Sequence, residues 1–77
     1  MIITTKTGKT FESDMVAENP SPPRLYLHIL GTPLGTLAGI FTSPEELPID
    51  GYPDFVQFQS ISVTPDGVNV TLKKTGT

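Results

Sequence analysis

Ile61-Ser62-Val63-Thr64-Pro65-Asp66-Gly67-Val68-Asn69-Val70-Thr71-Leu72 is the stretch that decides the fold. Val68, Val70 and Leu72 alternate with Asn69, Thr71 and Lys73, which predicts a strand with one apolar and one wet face. Thr64-Pro65-Asp66-Gly67 is turn chemistry, and Phe55, Val56, Phe58, Ile61 and Val63 lie upstream of it. Residues 54–74 are therefore expected to form a β-hairpin. Facing residues on paired strands share a side of the sheet, so Val63 is expected opposite Val70, Ile61 opposite Leu72 and Thr64 opposite Asn69. That register puts a four-residue loop at 65–68 and places Pro65 early in a type I turn, where its missing N–H is not needed. Val56 and Phe58 are out of phase with Ile61 and Val63. A bulge near Gln59-Ser60, or burial of both faces, accounts for the break.

The 77 residues make a single domain, 1–77, with a small core. The absence of cysteine excludes disulfide staples and thiolate metal sites and fits a reducing compartment. Stability must come from the sheet, one core or a partner subunit, so a homo-oligomer is a natural expectation. The formal charge of −3 and five scattered basic residues argue against a nucleic-acid partner. No apolar run is long enough to span a membrane, and no signal peptide is visible at the start of the sequence.

Residues 2–7 and 10–17 flank Gly8-Lys9, which predicts a second hairpin with a two-residue loop and a Thr7–Thr10 pair. That register gives one face to Ile2, Thr4, Phe11, Ser13, Met15 and the Lys6 stem, and sends Thr5, Glu12 and Asp14 to water. Asn19-Pro20-Ser21-Pro22-Pro23 is expected to be a stiff loop. In the strand predicted over 24–30, Leu25, Leu27 and Ile29 face one way and Tyr26, His28 and Leu30 the other. Both faces are largely apolar, so this strand is expected to be central or to have its far face covered.

Thr32 suits a helix N-cap, Pro33 suits the first helical position, and Leu34, Leu37, Ala38 and Phe41 recur at helical spacing. One short helix is expected around 33–41, with Gly35 and Gly39 either weakening it or allowing a close approach to the sheet. Ser43-Pro44-Glu45-Glu46 predicts one further helical turn, with Glu46 at capping-box spacing. Residues 49–53 form a turn region with at most a brief edge strand. The fold class is thus α+β: a mostly antiparallel sheet or partly open barrel, in the order β-β-β-α-β-β.

The chemistry-bearing motifs are sparse. Gly8-Lys9-Thr10 ends like a phosphate loop, but Ile3 stands where its first glycine belongs. Pro20-Ser21-Pro22-Pro23 has the spacing of a polyproline ligand, although a stiff connection explains it as well. Glu45, Glu46, Asp50 and Asp54 lack the spacing of a calcium loop and are expected to be solvated. His28, the lone histidine, is expected to be structural. A histidine-based zinc site is nearly excluded, because its other ligands would all be carboxylates. A hydrolase reading would need His28 in a pocket within about 3 Å of a hydroxyl and a carboxylate. No catalytic residue, metal ligand or cofactor site is assigned.

Two resemblances remain. Met1 to Phe11, with Lys6-Thr7-Gly8-Lys9-Thr10, is similar to the first hairpin of ubiquitin. Pro20, Pro22 and Pro23 stand where that fold continues into a long helix, so the likeness ends there. Ile3-Thr4-Thr5-Lys6, Leu30-Gly31-Thr32, Leu34, Leu37, Phe41-Thr42-Ser43-Pro44-Glu45 and Val68-Asn69-Val70-Thr71-Leu72-Lys73-Lys74 resemble small uncharacterised proteins of tailed phages and prophages of Gram-positive bacteria. Pro48, Pro53 and the helix glycines depart from that pattern. The resemblance implies a non-enzymatic virion or assembly accessory subunit, located in the virion or the host cytoplasm. Its partners would be proteins, either itself or other virion components. The alternative is a peptide-binding module acting by strand addition at a sheet edge. Tyr26, His28, Tyr52 and Phe58 are the candidate contact residues, and Lys73-Lys74 are expected to protect an edge.

Overall fold

The computed structural model describes residues 1–75. The elements are β1 (Ile2–Thr4), β2 (Thr10–Pro20), β3 (Pro23–Leu30), α1 (Leu34–Phe41), β4 (Gln57–Val63) and β5 (Val68–Lys73). They follow the predicted order and form one open five-stranded antiparallel sheet, β1-β2-β3-β5-β4. β3 is its centre, as its two apolar faces imply, and Leu25, Leu27 and Ile29 are fully buried. The crossover after β3 carries α1 and a long loop over one face of the sheet. From that cover Leu37, Phe41, Leu47, Ile49 and Phe55 join Ile3, Phe11, Val68, Val70 and Leu72 in the core. The Phe11 and Phe41 rings meet at 5.9 Å between centroids, which ties β2 to the helix. No described element covers the opposite face.

The closing hairpin has the expected even-numbered loop and the expected bulge, but its register differs. Val63 pairs with Val68, and Ile61 with Val70, so the four-residue loop is 64–67. Thr64 N–H donates to Gly67 O at 2.8 Å and closes it. The shift is even, so Ile61 and Val70 remain on the apolar side. Gly67 makes it possible: a Cβ there would lie 2.4 Å from Ile29 O. Gln59 is the extra residue of the bulge, between the Phe58–Leu72 and Ser60–Thr71 pairs.

The opening hairpin departs further. Thr4 pairs with Thr10 and Ile3 with Phe11, so residues 5–9 form the loop, with Gly8 at φ +94°. This odd shift reverses the face of β1: Ile3 and Thr5 are buried, whereas Ile2 is 62 % exposed. β2 then changes phase itself, because a bulge lies between the Ser13–Ile29 and Met15–His28 pairs. Val16 turns inward beside the core, and Met15, expected inside, is exposed. Buried Ser13 holds the bulge: its Oγ lies 2.8 Å from both Met15 O and His28 O and accepts from Met15 N–H.

The proline segment is a tight hairpin, not a five-residue loop. β2 runs to Pro20 and β3 starts at Pro23, the two residues pair, and Asn19 Nδ2 donates to Pro22 O. Prolines are tolerated here because they sit at strand ends. The doubled-back chain is not an extended polyproline ligand. Pro33 is the N-cap of α1 and no side chain caps that end, so Thr32 does not play that part. Gly35 and Gly39 are exposed and have open space beside them, so they mediate no close approach.

Residues 49–53 form no strand, but the segment they belong to meets the end of β1 through Asp50 N–H to Thr4 O and the following loop through Lys6 N–H to Glu46 O, each 2.9 Å. β4, not β5, is the opposite edge strand. Lys73 therefore lies on an interior strand, paired with Arg24 and Gln57, and does not guard an edge.

Candidate functional site around His28

His28 lies on the helix-free face of β3, its side chain 12 % exposed. Three neighbours reach it from two directions. The β2 bulge adds Asp14, whose Oδ1 is 2.6 Å from His28 Nδ1. The β4–β5 loop brings Thr64 Oγ1 to 2.9 Å and Asp66 Oδ1 to 3.4 Å from Nε2. Thr64 Oγ1 is itself 3.1 Å from Asp66 Oδ1. Gly67 lets the loop lie against the ring, since a Cβ there would be 3.0 Å from Nε2.

The donor inventory fixes the roles. A carboxylate only accepts, so Nδ1 carries a proton and donates to Asp14. When His28 is neutral, Nε2 accepts from the Thr64 hydroxyl. When it is protonated, Nε2 donates to Thr64, whose hydroxyl then turns to Asp66.

The Asp14–His28–Thr64 chain meets the distances that a hydroxyl–base–acid arrangement requires. Its surroundings do not extend the analogy. Pro65 follows Thr64 and has no N–H for a developing oxyanion, and the Thr64 hydroxyl is shared with Asp66. Asp14, His28 and Asp66 also offer donor atoms within 4.8 Å of one another, close enough to share a cation.

A second polar cluster lies under the opening hairpin. Glu46, 7 % exposed, does not form the expected capping box and is not solvated. Its Oε1 accepts from Thr5 Oγ1 at 2.9 Å and from Thr7 Oγ1, and its Oε2 accepts from Lys9 Nζ. Hydrogen bonds from Lys9, then Thr7 and Thr5, with the Lys9 charge, outweigh desolvation and hold the carboxyl down at about 2. Lys9 thus serves a carboxylate, not a phosphate. Glu45, Asp50 and Asp54 are exposed.

Of the candidate contact residues, Tyr26 and His28 share the open face. Tyr52 and Phe58 pack against the core on the covered side, and Phe58 borders a hollow with Phe41, Pro44 and Leu47. The four do not form one surface. Asp14, Thr64 and Asp66 were not singled out from the sequence. A signal for Asp14 existed: Phe11 and Val16 are both apolar but have opposite parity, so one strand can turn both inward only through a bulge between them. No protein family, curated protein or solved structure matches the chain.

Proposed function

We propose that this protein is a non-enzymatic interaction module whose contact surface is the helix-free face of the sheet. The observation that carries the reading is the centre of that face. Met15 and Tyr26 are 39 % and 38 % exposed and border one shallow hollow with Ala17, rimmed by Ser62, Asn69 and Thr71. An apolar centre within a polar rim is the anatomy of a protein contact, and tyrosine and methionine are enriched at such centres. The partner is a second copy or another subunit of an assembly, and the resemblance to phage accessory proteins supports a place in a virion or its assembly pathway. Light scattering over a concentration series and partner capture test this. Tyr26→Lys is expected to abolish the association without lowering the unfolding midpoint of the dilute monomer, because Tyr26 lies outside the core. A protein that is monomeric throughout, captures nothing and is indifferent to Tyr26→Lys would overturn the proposal.

Strand addition is a second reading, favoured by one observation: β4 is an edge strand with no pairing partner on its outer side among the described residues. Its bulge at Gln59 opposes that use. Hydrogen exchange in the complex separates the two modes. Protection gained along β4 signals strand addition; perturbation at Met15, Ala17 and Tyr26 without it signals face contact.

A further inference from the structure

We propose that His28, Thr64 and Asp66 form a binding site for a first-row divalent cation of the Zn2+ class, with Asp14 as the positioning residue behind the imidazole. The three donor atoms, Nε2, Oγ1 and Oδ1, define a triangle with edges of 2.9, 3.1 and 3.4 Å. Zinc bonds to nitrogen and oxygen are about 2.0–2.2 Å, so neighbouring ligands lie about 3.0 Å apart in an octahedral shell and about 3.4 Å apart in a tetrahedral one. The triangle spans that range, and one ion above it reaches all three atoms.

The tautomer is already correct. Asp14 Oδ1 accepts a hydrogen bond from Nδ1–H at 2.6 Å, which leaves the lone pair on Nε2, the nitrogen on the side of Thr64 and Asp66. A carboxylate behind a ligating histidine is the usual orienting arrangement at such sites. Charge agrees as well: the cluster offers a divalent ion two carboxylates, Asp14 and Asp66. The Glu46 cluster differs because Lys9 already supplies its cation. Asp66 is 73 % exposed, which leaves water free to complete the coordination shell. The sequence expectation set zinc aside because only carboxylates remained as further ligands; the fold adds a hydroxyl and places it within the triangle.

The test uses the full chain without a histidine tag, so that His28 is the lone imidazole. Zn2+ is titrated to about 1 mM while the two ring nitrogens are followed by 15N NMR, a range chosen for a mixed imidazole–oxygen donor set. Saturable movement of the Nε2 signal with the Nδ1 proton retained is expected. Asp66→Asn and Asp14→Asn should each weaken the apparent Kd by about tenfold or more, and Asp54→Asn should not. Backbone spectra of the apo variants establish that each is folded, and a rise in the unfolding midpoint with Zn2+, lost in Asp66→Asn, gives a second readout. An unchanged Nε2 signal, zinc on Nδ1, or equal affinity in folded Asp66→Asn overturns the site.

Discussion

The two hairpins secure their loops by different means. The closing hairpin's loop closes through Thr64 N–H to Gly67 O and is held on its own sheet, where Gly67 rests against β3 and Thr64 and Asp66 reach His28. The opening hairpin is tied from a distance. Its loop closes on itself through Thr5 N–H to Lys9 O, but Thr5, Thr7 and Lys9 direct their side chains to Glu46, on a segment that follows the helix. Both loops therefore close by a backbone hydrogen bond, but the closing loop is held against the sheet and the opening loop against the cover.

The largest expected effect comes from the closing hairpin. Gly67→Ala forces a Cβ into Ile29 O and should cost about 4 kcal/mol in urea unfolding, at the upper end for one substitution. A cost under about 1 kcal/mol would mean that the loop can withdraw from β3 freely. The next test is the face of β1. Ile3→Ala should cost about 3 kcal/mol, since Ile3 is 5 % exposed, and Ile2→Ala less than about 0.5 kcal/mol. The reverse ranking would restore the Thr7–Thr10 register.

Acid should separate the hairpins next. The folded Glu46 carboxyl is held at about 2, below its ordinary value of 4.5, so its contribution is fully present above pH 4.5. That contribution is lost as pH falls from 4.5 towards 2, because only the unfolded chain takes up the proton there. Urea unfolding over this range should show a slope that Glu46→Gln reduces, and amide exchange should rise first in residues 5–9, not in 64–67. The last test lies outside both hairpins. Gly39→Ala, on the exposed side of α1, should stabilise the fold by about 1 kcal/mol while preserving the order of the other effects.

The difference in how well the two hairpins could be read from sequence has one physical cause. Side chains in a strand repeat every two residues, so an even slip keeps every face and an odd slip inverts them. The closing hairpin slipped by two positions, and Ile61, Val70 and Leu72 stayed on the apolar side. The opening hairpin slipped by three, and Ile2 exchanged places with Ile3. β2 then reversed phase again at Asp14, and that second reversal created the His28 cluster. His28 could be placed on the outer face of a central strand from alternation alone. Its partners could not be placed, because one arises from a bulge and the other two from the landing point of a turn on β3.

Local chemistry determined what most segments of this protein are: alternation for the strands, helical spacing for the helix around 33–41, and the bulge near Gln59, but not the lengths of the turns at 5–9 and 19–23. These properties depend on neighbours a few residues away and are therefore written in the order of the residues. Only the tertiary structure decided which strands became neighbours, that β5 would lie inside β4, that Glu46 would be buried on Lys9, and that Asp14, Thr64 and Asp66 would converge on His28. Those outcomes rest on contacts between residues 14 to 41 positions apart in the chain, where packing against the core, not local preference, sets the free energy.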